Sequence, residues 1–194
     1  MNDTHSPYSA QQVLDFWFGP EDQPGYGEAR REWFEKNDAF DEEIREKFGG
    51  LHAAVAQGLL DYFWKDSPLS NLAAVIVLDQ FSRQLYRDDA KAFAQDGHAL
   101  TLAKHALEQG FDQQVPEVHR MFFYLPFEHS ESLEDQDRSV ALFAQLDNAE
   151  WNRYAQAHRD VVARFGRFPH RNKTLGREST PEEEAYLAQP GSGF

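Results

Sequence analysis

Phe127, Glu128, His129, Ser130 and Glu131 place two carboxylates and an imidazole within four residues, directly after Pro126. Carboxylate with imidazole is the donor set of zinc, iron and manganese sites and of acid–base pairs. Glu128, His129 and Glu131, together with His158 and His170 from later in the chain, are therefore candidates for a hydrolytic centre in which a carboxylate or a metal activates water. The spacing is not that of a zinc motif, since no HExxH is present. No metal site is assigned, and the sequence requires no cofactor. The plainer reading is that acidic residues near a helix start act as dipole partners and caps.

A second group is basic. Residues 151–177 hold Arg153, Arg159, Arg164, Arg167, Arg171, Lys173 and Arg177 against the single acid Asp160, a local charge of +6 that leaves −20 on the rest of the chain. Inside this stretch Arg164-Phe165-Gly166-Arg167-Phe168-Pro169-His170-Arg171-Asn172 interleaves arginine with aromatic rings. A guanidinium fork grips carboxylate or phosphate with two parallel bonds, which lysine cannot do. Basic groups among aromatics also suit base stacking along a nucleic acid. The plainer alternative is internal pairing with the acidic excess, because arginine is seldom buried unpaired.

A third group interrupts an apolar helix face. Leu69, Leu72 and Ile76 follow helical spacing, and the same steps lead on to Asp79 or Gln80, then Arg83, then Tyr86 or Arg87. Charge withdrawn from water is costly unless paired, so these groups must meet partners, line a wet cleft, or mark a helix end that emerges into solvent.

The elements that must position these residues are helices, because apolar residues recur at steps of three and four and strand-like alternation is never sustained. Ser9 and Gln12 have capping-box spacing at the start of the first helix, which Gly19-Pro20 closes. Phe40, Ile44, Phe48, Leu51 and Val55 share a face across Gly49-Gly50, as one long helix or two short ones. Ser67-Pro68 opens a helix running to about Arg87. Asp96 caps the next, which Gly110 closes; Pro116 opens another, which Pro126 stops. Helices follow over residues 133–146 and 151–165. Thr180, Pro181 and Glu183 combine a cap, a first-turn proline and a capping-box glutamate. Residues 166–179 carry no helical pattern, and a loop of that length in a compact domain is often functional.

The chain of 194 residues carries a net charge of −14 and no cysteine, which excludes thiolate catalysis, iron–sulfur clusters and redox disulfides. The acidic balance opposes nucleic acid and anionic membrane surfaces as partners. No secretory leader or membrane-length apolar run is evident, so the expected location is the cytoplasm. The Asn2-Asp3-Thr4 and Asn172-Lys173-Thr174 triplets then read as chance glycosylation matches. The expected organisation is a disordered tail over 1–8, a single all-helical domain over 9–188 and a flexible tail over 189–194.

The chain resembles a bacterial family known as domain of unknown function 924. The resemblance rests on Leu14-Asp15-Phe16-Trp17-Phe18-Gly19, on Trp33-Phe34-Glu35-Lys36, and on Leu78-Asp79-Gln80-Phe81-Ser82-Arg83 with Tyr86-Arg87. It also rests on residues 122–131, on residues 164–172, and on Leu175-Gly176-Arg177. Ser82 and Gln84 stand where such proteins carry Pro and Asn. The resemblance implies an all-α fold of about eight to ten antiparallel helices in a tetratricopeptide-like array around a groove. It brings no established activity.

Three functions are compatible with these residues. In the first, Asp79, Gln80, Arg83, Arg87, Glu128, Arg167, His170 and Arg171 line a polar groove that binds an anionic small molecule or peptide. In the second, the Glu/His cluster is a hydrolase centre. In the third, the charges form an ion network that fixes helix register, and the groove receives a protein partner.

Overall fold

The computed structural model describes residues 8–193. The expected tail at 1–8, apart from Tyr8, and the Asn2 triplet lie outside the described residues, as does Phe194. Among the described residues every regular element is helical. None of these helices is long and apolar enough to cross a membrane. The chain forms two compact units, one of residues up to 87 with 91–126, the other of 88–90 with 127 onward.

The first unit is built around one helical rod. It starts as α4, Pro68–Val75, widens into a π-helical turn over Ile76–Phe81, and ends as α5, Ser82–Leu85. Residues 71–82 are buried on every side, as expected of an element enclosed by others rather than lying on a surface. Around it pack α1 (Ala10–Phe18), α2 (Asp38–Ala56), α3 (Asp61–Trp64) and α6 (Asp96–Glu108). Trp17 fills the junction, its ring 5.8 Å from Trp33 and 5.6 Å from both Phe81 and Phe122. The Trp33 indole N–H donates to the Trp17 carbonyl at 3.0 Å.

The helix boundaries correct several expectations. Ser9 and Ser67 occupy N-cap positions without a side-chain cap bond. Asp96 is the first residue of α6 rather than its cap, because its carboxylate is taken by Arg83 at 3.1 and 3.3 Å. The glycine pair leaves α2 continuous. Pro126 does not stop α7, which runs from Glu117 to Glu128. The missing proline N–H falls in the last turn, and the carbonyls exposed beyond it are gathered by the amide of Gln136, fully buried, which donates to Glu128 at 2.6 Å and Ser130 at 2.7 Å.

In the second unit α8 (Leu133–Phe143) packs on α9 (Ala149–Phe165). Asn148 caps α9, its side-chain oxygen accepting from the Glu150 and Trp151 amides at 3.1 Å. Gly166 ends α9 at a left-handed φ of 68°, a conformation that a side chain resists. A short 3₁₀ turn, Pro169–Arg171, follows. The last helix, α10 (Pro181–Leu187), starts with the expected capping box of Thr180 and Glu183. After α10, Ser192 donates to the Leu187 carbonyl at 3.0 Å.

Replacing Gln136 by Ala strands the carbonyls that it serves, so Gln136→Ala is expected to lower unfolding free energy by about 1–3 kcal/mol. Urea denaturation checks this, and an unchanged midpoint would show that those carbonyls are otherwise satisfied.

Candidate functional site

The sequence-derived candidates divide between the two units. Asp79, Gln80, Arg83 and Arg87 belong to the first, and Glu128, His129, Glu131, His158, Arg167, His170 and Arg171 to the second.

In the first unit the π turn carries Asp79 and Gln80 into the interior, where the Gln80 amide donates to the Asp79 carboxylate at 2.6 Å. Arg83, partly exposed, bridges Asp79 at 3.4 Å and Asp96 at 3.1 Å. Arg87 grips Asp41 through two bonds, the Nη2 contact being 2.9 Å. Both guanidiniums are thus matched by carboxylates of their own unit. Ser82, which stands where the family resemblance calls for Pro, is fully buried. Its hydroxyl donates to the Leu78 carbonyl at 2.6 Å and lies 2.8 Å from Nε2 of His52. With the hydroxyl proton engaged, His52 must be the donor, so this pair is a helix clamp rather than an activated serine.

The second unit gathers its candidates around Phe168, whose ring is fully buried. Its backbone N–H donates to Glu131 at 2.8 Å, and its carbonyl accepts from Arg177 at 3.1 Å. Arg177 and Glu131 close this frame with two parallel bonds of 2.7 and 2.9 Å. Arg167 makes a similar pair with Glu183 at 2.7 and 2.8 Å, and Asn172 ties Glu183 to Arg177. Glu183 therefore serves both its helix cap and an arginine, a second use that its capping-box spacing concealed. Hydrogen bonds from Arg167 hold its carboxyl down to about 2. Glu131 also lies below its ordinary value, the bonds from Arg177 and Phe168 outweighing the opposing effect of burial.

On the Phe168 ring sit His158 at 5.6 Å, His170 at 5.6 Å and the guanidinium of Arg171 at 4.6 Å. His129 lies 6.4 Å from His158. Nδ1 of His158 is 2.9 Å from the Tyr154 carbonyl oxygen and 3.4 Å from the buried carboxylate of Glu128. Burial pushes His158 down to about 3, with the Tyr154 carbonyl opposing and the neighbouring His129, Arg171 and His170 assisting. Burial, then Arg171, pushes His170 down to about 4. Both imidazoles are neutral at physiological pH beside a guanidinium that stays charged. Among the described residues no group of three or more His, Asp and Glu is arranged to hold a metal ion.

Residues 13–191 match the family described as bacterial protein of unknown function, domain of unknown function 924. The chain belongs to this family. A solved structure of a protein of unknown function from Agrobacterium tumefaciens is similar to it at 40% sequence identity, covering 92% of this chain and 96% of that one with a TM-score of 0.84. Nothing among the curated proteins matches the chain. Family membership therefore carries the helical fold with it and assigns no chemistry.

The histidines set a pH dependence. His158 and His170 titrate below the ordinary 6.5 in the folded chain, so the unfolded chain binds more protons as pH falls from about 6.5 toward about 4, and stability declines. Glu131 and Glu183, also lowered, lose their contributions below the ordinary carboxyl value of 4.5. Thermal melts across this range are expected to show a falling midpoint, with His170→Phe flattening the upper part of the curve. A midpoint constant from neutral pH to about 5 would contradict the buried, neutral state of these rings.

Proposed function

We propose that the chain binds a small anionic molecule at the cluster around Phe168, with Arg171 as the charge that recognises it. The observation that carries this reading is the guanidinium of Arg171, nine-tenths buried and stacked 4.6 Å over the Phe168 ring. A guanidinium stacked by its flat face keeps the planar fork whose edge suits a two-bond grip on carboxylate or phosphate. The imidazoles of His158 and His170 border the same ring without adding charge, and Glu128 lies 3.4 Å from Nδ1 of His158. Arg83, Arg87 and Arg167 are engaged with carboxylates in their own units, so the proposal treats them as architecture.

A second reading takes the same charges as register-fixing only, supported by the Arg167–Glu183 and Arg177–Glu131 pairs. The two readings differ at Arg171. Calorimetric titration with inorganic phosphate and with a dicarboxylate is expected to show saturable binding that weakens at least about tenfold in Arg171→Lys, which keeps the charge and loses the fork. The exposed Arg153→Gln should bind as the parent does. Absence of binding to either anion, or equal affinity in Arg171→Lys with its fold intact, favours the purely structural reading.

A further inference from the structure

The last turn of α1 leaves carbonyls without helical donors, and Arg30, beyond the loop that follows the helix, caps two of them. Its Nη1 donates to the Phe16 and Trp17 carbonyls at 2.8 and 3.2 Å. The guanidinium also lies 5.8 Å from the centre of the Phe40 ring. A half-buried cation is thus held by one nitrogen and one ring, while its Nε–Nη2 edge keeps two parallel N–H groups with no acceptor among the described residues. Nor does any carboxylate among those residues pair with Arg30, although the chain carries 33 acids against 19 Lys and Arg. Its neighbour Arg31, by contrast, grips Glu35 at 3.1 Å.

Arg30 borders a cavity of about 530 Å³ in the first unit, a volume within the ordinary range of small-molecule sites. Asp15, Glu28 and Glu43 line the same cavity. Glu43 is held by Lys47 at 2.5 Å and Asp15 accepts from Gln11 at 2.7 Å, whereas the Glu28 carboxylate makes no bond among the described residues. Phe16 and Phe40 form an apolar wall, their rings stacked at 5.1 Å. A simple anion would be drawn to Arg30 and repelled by the carboxylates, and a simple cation would meet the reverse. A molecule carrying both charges satisfies both. We propose that this cavity binds a small zwitterion of the amino-acid type, with its carboxylate on the open fork of Arg30, its ammonium on Glu28 and an apolar side chain against Phe16 and Phe40. The site belongs to the first unit and is independent of the Phe168 cluster.

A free amino acid and a short peptide share this chemistry and differ in the spacing of their charges. The test is calorimetric titration of the full chain at neutral pH with leucine and with leucyl-leucine, set against N-acetylleucine, which lacks the ammonium, and leucinamide, which lacks the carboxylate. Saturable binding of leucine or leucyl-leucine, at least about tenfold tighter than of either blocked compound, is the expected result; the tighter of the two shows whether the site spans one residue or two. Binding of neither zwitterion, or equal binding of a blocked compound, overturns the proposal. Arg30→Gln is expected to abolish the preference over leucinamide. Because Arg30 also caps α1 and its loss can disturb the fold, the exposed Glu28→Gln supplies a second arm, expected to bring the zwitterion down to about the affinity of N-acetylleucine. Unchanged affinity in Glu28→Gln would overturn the proposal, and Arg31→Gln, whose side chain is paired with Glu35, should bind as the parent does.

Discussion

Phe168 is held by both ends of its own peptide unit, its N–H on Glu131 and its carbonyl on Arg177, while those two side chains hold each other. This closed frame lets a stretch without long helices be ordered. Once the frame is set, the ring cannot turn away, and the positions of His158, His170 and Arg171 follow from contact with it. Val161 and Val162 seal the ring on the apolar side. The frame is ionic and the filling is aromatic, and the ion pair fixes the ring through both ends of its peptide unit.

The basic character of residues 151–177 changes meaning in this setting. Arg159 pairs with Asp137, Arg164 with Glu182, Arg167 with Glu183 and Arg177 with Glu131. Four of the seven positives are thus matched by acids that lie outside residues 151–177. Several of these pairs are exposed and contribute little individually. The more buried ones, at Glu183 and Glu131, matter because they order the turn that carries the cluster.

Much of the fold was legible, because the signals were local. Gly19, Pro68, Gly166 and the Thr180–Glu183 box act through their own backbone geometry, and periodicity alone marks the helices. What escaped reading depended on partners distant in sequence. Pro126 reads as a stop until Gln136 supplies the carbonyl partners that let a last turn form. The Asp79–Arg83 face reads equally as a solvent-exposed end or a cleft until Asp96 closes the pair. At the candidate site, the motifs of residues 127–131 and 164–177 were visible as unusual chemistry, but which arginine pairs with which acid is a tertiary fact. That Phe168 is the hub could not be deduced from spacing.

The π-helical turn at Ile76–Phe81 has a consequence for how this rod can vary. A turn closed by i→i+5 bonds contains one residue more than the α-helical path needs, and each residue of an α-helix advances the side chains by about 100°. The rod therefore has two rotational phases, one before the turn and one after it. Contacts with α1 belong chiefly to the first phase, whereas the Arg83–Asp96 and Arg87–Asp41 pairs depend on the second. Loss of one residue inside the turn would give a straighter, better bonded helix whose ionic half faced the wrong neighbours. The wide turn is in this sense a phase adjuster, joining an apolar rod to a charged one without a break in the chain.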